Sequence, residues 1–356
     1  MIASILSATP PAGIGVFEVD EGALPSVVND LRPRMLVLTN VFRDQLDRFA
    51  EPERVARLLR EGADRLPRGS RIVANADDPL LWASLEDLWP VGFSVSGVLF
   101  SPESGSDAEP ETCPLCAGSL RFERRTIANL GSGRCDGCGW RSSSGSYRAT
   151  LISQAGLEAS VLEVCGELLT LPMGGIHNAY NAVAAIAAAA EMGIPPHGAI
   201  SVLEEFQPRF GRAEELLFDG GHLWVALIKN PAGAGAVIQG VCADGRVGAL
   251  VVAISDRDAD GRDVSWIWDA DFERLVRLGV PVVAAGTRAD DVAVRAKYAG
   301  RAPDAVEAEP LAAIQAAVER CRPDAMVVVL ATYTAMLDIR QALLGDRSAR
   351  IEDSGG

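Results

Sequence analysis

A chain of 356 residues has room for two or three domains and a sizeable core. Apolar residues at 48% with aromatics at only 6% favour an α/β architecture over an all-β one. With 33 basic against 48 acidic residues the net charge is −15, and Lys229 and Lys297 are the only lysines, which disfavours nucleic acid and anionic membrane as direct partners. The apolar runs are too short to span a bilayer and no signal peptide opens the chain, so a cytoplasmic protein without membrane insertion is expected.

In chain order, no strand–glycine loop–helix unit precedes Ala12. The run Ile14–Val19 reads as a strand ending in the acidic cluster Glu18, Asp20 and Glu21. A second strand, Met35–Leu38, ends at Thr39-Asn40, and a helix follows from about Glu51 to Leu66 with Pro52 in its first turn. Arg71–Ala74 is a third strand, closed by Asn75 and Asp77-Asp78-Pro79, a turn by composition. From Ser101 to Ser146 the chain turns rich in Gly, Ser and Cys and reads as an insertion. A β-rich piece (147–171) and an alanine-dense helix (178–192) come next. The stretch 207–215 marks a domain boundary. Beyond it, strands at 223–228, 247–254, 280–285 and 325–330 alternate with helices from about 233, at 271–278, 290–299 and 310–320, and from Thr334. Such alternation implies parallel sheets.

Of seven cysteines, four form two C-x-x-C pairs, Cys113/Cys116 and Cys135/Cys138, separated by 18 residues. Each pair suits a tight knuckle, and four thiolates complete a tetrahedral Zn²⁺ with no open position, so the zinc ribbon is structural rather than catalytic. Gly137 and Gly139 offer backbone freedom to the second knuckle. A redox dithiol or a degenerate ribbon would use the same spacing. Cys165, Cys242 and Cys321 read as buried apolar cysteines.

Two further groups of residues are open to more than one reading. Thr39-Asn40 at a strand end, with Asp44-Gln45-Leu46-Asp47 beyond, suits Mg²⁺ and phosphate oxygens; capping and turn chemistry would use the same residues. After the apolar strand at 247–254 come Asp256, Asp258, Asp260, Asp263 and Asp269, interleaved with Arg257, Arg262, Trp266 and Trp268. Strand carboxyl ends carry the chemistry of open α/β sheets. A solvated acidic loop is the plainer reading, but two indoles argue for a loop folded against its own domain or a partner.

These stretches together resemble the MurT family within the Mur ligase superfamily. The resemblance rests on FEVDEGALP (17–25), LTNVFRDQLDR (38–48), ANADDP (74–79), the four-cysteine insertion and GGIHNAYNAVAA (174–185). FQPRFGRAEE (206–215), IKNPAG (228–233), DADGRDVSWIWDADFE (258–273), RAKYAG (295–300) and ATYTAMLDIR (331–340) extend it over nearly the whole chain. It implies an α/β fold: a Mur ligase central domain over 1–212 with the zinc ribbon inserted at about 108–147, then a Rossmann-like C-terminal domain over 213–356. It further implies a subunit of lipid II isoglutaminyl synthase. ATP and Mg²⁺ would activate the D-glutamate α-carboxylate of lipid II as an acyl phosphate, which ammonia from a GatD-type glutaminase subunit converts to D-isoglutamine. The site would lie in a heterodimer at the inner face of the membrane. By match, Glu18 would hold Mg²⁺, Thr39 and Asn40 would lie near the phosphates, Asn178 and Asn181 near adenine, and Arg212 and Asp256 around the nucleotide. Lys229, Asn230 and Tyr333 fall in matching segments without assigned roles. The resemblance also implies that the segment holding Asp263 and Asp269 lends the glutaminase a carboxylate in trans. Asp269 is the first choice, because the tryptophans before it could bury at the interface, and Asp263 is the second.

One departure stands out. Nothing matches the phosphate-cradling G-x-x-G-K-[ST] loop that Mur ligases carry before these motifs; in addition, Ser255 and Ala331 stand where the family usually shows Asn and Pro. The expectation is a truncated N-terminus and weak ATP binding by these residues alone. The alternative is a non-catalytic, ATPase-defective subunit that binds and completes the glutaminase.

Overall fold

The computed structural model describes residues 13–42, 51–97, 112–206, 212–345 and 349–351, without the side chains of residues 212, 213, 344 and 349–351. Two sheets carry the chain. The first half opens with α1 (Leu24–Leu31), β1 (Met35–Leu38), α2 (Pro52–Asp64), β2 (Arg71–Asn75), α3 (Pro79–Leu85) and β3 (Val91–Gly97). A separate hairpin of β4 (Leu120–Ile127) and β5 (Leu130–Cys135) follows. Then come β6 (Tyr147–Ala155), β7 (Ala159–Val164), β8 (Glu167–Leu171), α4 (Ile176–Glu191) and α5 (Pro196–Glu204). The first sheet runs β1-β2-β3-β6-β7-β8, parallel through β6 and antiparallel beyond it. Because β3 pairs directly with β6, the hairpin is an insertion between neighbouring strands.

The second half contains β9 (Arg212–Phe218), β10 (Gly221–Leu227), α6 (Pro231–Ala243), β11 (Val247–Ala253), α7 (Phe272–Arg277), β12 (Val282–Ala285) and α8 (Ala289–Tyr298). It closes with β13 (Ala305–Glu307), α9 (Pro310–Arg320), β14 (Met326–Ala331), α10 (Tyr333–Gly345) and β15 (Ala349–Ile351). Its order is β13-β12-β11-β14-β10-β9-β15, parallel from β13 to β10 and antiparallel at β9 and β15. Every residue of β11 and of β14 is buried, as expected for unbroken apolar runs covered by helices on both faces. In α4 half of the buried positions are alanines (Ala179, Ala182, Ala184 and Ala187), beside Ile176, Tyr180, Val183 and Ile186, and small side chains let a helix backbone approach its sheet.

One contact between the halves is made by a turn of the first sheet. Leu157, between β6 and β7, enters the core of the second half beside Val237 and Val241. Its N–H donates to Asp244 Oδ2 at 3.1 Å, and Glu158 pairs with Arg246. Gly156 has φ +51°, and a Cβ there would stand 2.4 Å from Asp244 Oδ2, so the close approach requires glycine.

Three expectations need correction. The segment 14–19 is not a strand: it has no regular structure, pairs with no described strand, and leaves Val16 92% exposed. Asp77-Asp78-Pro79 is not a bare turn but the start of α3, with Asp78 as N-cap and Pro79 at its first position. Cys165 is exposed, because it sits at φ +54° in the turn between β7 and β8, and Cys242 and Cys321 are half-buried.

Candidate functional site

A cleft of about 520 Å³ opens between the halves. Glu18, Asp20 and Glu21 form one wall, and Thr39, Asn40, Val41 and Phe42 line it past the end of β1, beside Val55 of α2. Lys229 and Asn230, past the end of β10, complete it from the second half. Asn230 is the N-cap of α6, its Oδ1 accepting from Gly233 N at 2.7 Å. The positive end of a 13-residue helix therefore meets the cleft beside the Lys229 side chain, a favourable place for an anion. Glu18, Asp20 and Glu21 line the same cleft, and their negative charge disfavours an anion there unless a cation accompanies it.

The loop that holds Thr39 and Asn40 is fastened by one of two adjacent buried carboxyls, that of Asp78, with Asp77 beside it in a separate network. Asp78 is fully buried; Oδ1 accepts from Leu81 N at 3.0 Å and Oδ2 from Val41 N at 2.6 Å. Burial pushes its carboxyl up to about 6 against the pull of those N–H donors. Asp77, 1% exposed, accepts from Val95 N and Tyr180 Oη, both at 2.8 Å, and from Arg124 at 2.5 Å. Burial raises its pKa despite the Arg124 charge, and burial with the Asp77 charge raises Tyr180 well above the ordinary phenol value. Tyr180 also meets Thr126 Oγ1 at 2.7 Å.

The four thiols converge. Their sulfurs all lie within 4.8 Å of one another, Cys113 to Cys138 at 3.6 Å and Cys116 to Cys135 at 3.5 Å. Four sulfurs 2.3 Å from one tetrahedral ion would be about 3.8 Å apart, so the set could hold a metal. The two knuckles match: Ala117 N donates to Cys113 O at 2.9 Å and Gly139 N to Cys135 O at 3.0 Å. Ala117 and Gly139 both take positive φ, +57° and +80°, whereas Gly137 does not. Of the two glycines expected to ease the second knuckle, only Gly139 uses its freedom. The N–H of Cys138 is the main influence lowering the Cys135 thiol to about 7.

The acidic loop divides by partner. Asp256 accepts from Thr287 Oγ1 at 2.8 Å, which holds its pKa low with help from Arg288. Asp260 accepts from Thr334 N at 2.9 Å and so caps the start of α10 across the crevice between β11 and β14. Asp258 pairs with Arg262 in the open. Asp263 accepts from Ser265 N at 2.8 Å, fastening the short 3₁₀ turn Ser265–Trp268 and lowering its own pKa. Asp269 is exposed, and its carboxylate makes no hydrogen bond or ion pair among the described residues. Beside it Trp268, 49% exposed, meets Tyr298 edge-on at 5.6 Å. Arg295 underpins this surface: it is 3% exposed, donates to the carbonyls of Ile267 and Ala270, and forks onto Glu273.

Of the nucleotide-side residues anticipated from sequence, the structure brings Glu18, Thr39 and Asn40 into one cleft and adds Lys229 and Asn230. It does not bring the others there. Asn178 turns its Nδ2 back to Gly174 O at 2.8 Å, Asn181 is exposed on the same helix, and Asp256 sits two strands away from β10. The Arg212 side chain and the segment with Asp44 and Asp47 lie outside the described residues. Sequence reasoning missed Asp77, Asp78 and Tyr180. The signal for Asp78 was there, an Asp before Pro and an apolar run, the pattern of an N-cap.

Comparison with known proteins is consistent across sequence and fold. The model of the MurT ligase C-terminal family matches residues 227–336. The MurT subunit of lipid II isoglutaminyl synthase (glutamine-hydrolyzing) from Streptococcus pneumoniae is 32% identical over 349 residues, covering 95% of this chain and 76% of that protein. The same subunit from Staphylococcus aureus is 31% identical over 302 residues, covering 83% and 67%. Among solved structures, a pseudomurein peptide ligase type C from Methanothermus fervidus aligns with TM-score 0.70 at 19% identity, over 90% of this chain and 65% of that one. MurF from Acinetobacter baumannii aligns with TM-score 0.62 at 16% identity, over 89% and 62%. MurF from Thermotoga maritima in complex with ADP gives 0.59 at 14%, over 90% and 64%. The chain spans less than two thirds of these solved structures, and at such identities the likeness shows the fold alone.

Proposed function

The chain belongs to the MurT family of Mur ligases, and from that premise we propose that it is the ligase subunit of a lipid II isoglutaminyl synthase. The carboxylate of the D-glutamate residue attacks the γ-phosphorus of ATP, ADP leaves, and an acyl phosphate forms. Ammonia then attacks the carbonyl carbon, phosphate departs with the C–O bonding pair, and loss of a proton leaves the D-isoglutamine amide. A glutaminase of the GatD type supplies the ammonia, and the reaction takes place at the cytoplasmic face of the membrane. No described helix is long and apolar enough to cross that membrane.

The observation that carries this reading is the cleft shared by the two halves. Lys229 and the N-terminus of α6 face Glu18, Thr39 and Asn40 across it. In these roles Lys229 neutralises charge on the transferring phosphoryl group, Thr39 and Asn40 donate to phosphate oxygens, and Glu18 would hold the Mg²⁺ that shares in that neutralisation. The two halves, 1–212 and 213–356, serve as separate domains around that cleft, the first bearing the zinc ribbon. Zinc is the metal assigned to Cys113, Cys116, Cys135 and Cys138, because four converging thiols suit a structural Zn²⁺. Asn178, Asn181, Arg212 and Asp256 retain roles at the nucleotide only if the bound state brings them to the cleft. Asp269 is the carboxylate offered to the partner's catalytic histidine, with Asp263 second.

The test is ATP- and glutamine-dependent amidation of lipid II by the chain co-expressed with its glutaminase. Lys229→Ala should lower amidation about 100-fold or more. Amidation unchanged by both Lys229→Ala and Thr39→Ala would remove the cleft from the reaction. Glutaminase stimulation without any amidation would favour the non-catalytic interaction subunit instead.

A further inference from the structure

The four-cysteine hairpin reaches the cleft loop directly at its tip and through α3 at its base. At its base, Cys113, Cys135, Leu120 and Trp140 pack against Trp82 and Ala83 of α3, and Trp140 Nε1 donates to Glu86 Oε2 at 3.3 Å. The N-cap of that same helix is Asp78, which accepts the N–H of Val41 at 2.6 Å. At its tip, Asn129 Nδ2 donates to the carbonyl of Val41 at 3.4 Å. Val41, the residue after Asn40, is therefore held by its N–H through the helix that carries the knuckles and by its C=O through the hairpin itself. Between base and tip the hairpin is tied down by Arg124 on Asp77 and by Thr126 on Tyr180.

An isolated two-stranded hairpin is marginal in water, and its strands carry few apolar residues to bury. Tying four thiols to one ion is what folds such a module. We propose that the hairpin is a positioning element for the Thr39–Phe42 loop, with Asp78 and Asn129 as its positioning residues, so that metal occupancy at the thiols sets the order of one wall of the cleft. The functional weight of this rests on reading that cleft as the nucleotide and substrate site.

Amide hydrogen exchange on the full chain tests it, comparing metal-loaded protein, chelator-stripped protein and the Asn129→Ala variant, which leaves the thiols and the Arg124–Asp77 pair intact. Stripping should accelerate exchange across residues 39–42 by about tenfold or more, and zinc should restore protection. Strands β11 and β14 should not respond. The variant should retain its metal and still exchange faster at 39–42. Acceleration confined to 113–141 overturns the proposal, as does equal acceleration through β6–β8 or an unchanged rate in Asn129→Ala. Amidation of lipid II by the glutaminase complex, measured alongside, separates the two ideas: a responsive loop with amidation unchanged by Lys229→Ala and Thr39→Ala removes the cleft reading and leaves the positioning role standing.

Discussion

Asp77 and Asp78 on one side, and the five aspartates between Asp256 and Asp269 on the other, are the same residue type put to opposite uses. The first pair is buried to within 1%, Asp77 accepting from Val95 N, Tyr180 and Arg124 and Asp78 from the main-chain N–H groups of Val41 and Leu81. Its carboxyls stand above the ordinary range because burial penalises the charged form. In the second group, the two shifts that are resolved, at Asp256 and Asp263, run downward, because hydroxyl and N–H donors favour the charge with little desolvation. The comparison teaches that acidity in the sequence says nothing about role until burial is known. Of the buried pair, Asp78 holds the backbone of Val41 at the cleft, while in the loop only the Asp269 carboxylate has no hydrogen-bond or ion-pair partner among the described residues.

The sharpest way to break that contrast is at Asp269. Asp269→Asn should lower glutamine hydrolysis by the complex by about 10³- to 10⁴-fold, as loss of an orienting carboxylate does elsewhere, while complex formation and metal content stay unchanged. Asp263→Asn should cost far less, since its carboxylate is engaged with Ser265. If the two variants rank the other way, the assignment is reversed. On the buried side, Arg124→Met leaves Asp77 without its ion-pair partner and should destabilise the first half by about 3–5 kcal/mol in denaturant melts.

A smaller effect is expected in the pH dependence set by Asp78. Its folded carboxyl titrates near about 6 and the unfolded one near ~3.9, so between those values the folded state holds a proton that the unfolded state has lost. This contribution to stability is full below the unfolded pKa and is lost as pH rises through the folded one, by about 3 kcal/mol at most. Stability measured from pH 4 to 7 should therefore lose one downward component in Asp78→Asn, and an unchanged slope would contradict the burial account. The smallest effect belongs to Asp258. Its pair with Arg262 has both side chains more than 80% exposed, and Asp258→Asn should leave the melting temperature within about 2 °C.

Much of the fold was legible. The strands at 71–74, 280–285 and 325–330 and the helices at 290–299 and 310–320 fall within a residue or two of those observed, because apolar runs and helical periodicity are local signals. The thiol cluster was legible for a similar reason: two C-x-x-C pairs leave few other ways to arrange their sulfurs. Segment 14–19 misled because an apolar run becomes a strand only where a partner strand exists. Asn178 and Asn181 flank Tyr180 on one helix, and the sequence does not say which of the three faces the core. In this one it is Tyr180, between them, that points into the buried network with Asp77.

By itself, then, the sequence determined the elements, the metal-ligand spacing and the family resemblance, all of which depend on residues close together along the chain or matched in order. Tertiary structure alone decided that Lys229 and Thr39 line one cleft, that Leu157 packs into the core of the second half, and that Asp78 and Asn129 hold the same residue from two sides. Those pairings join residues 37 to about 190 positions apart, where chain entropy favours no particular partner. The partner is chosen only when a buried carboxylate or N–H must find a hydrogen bond within the packed core.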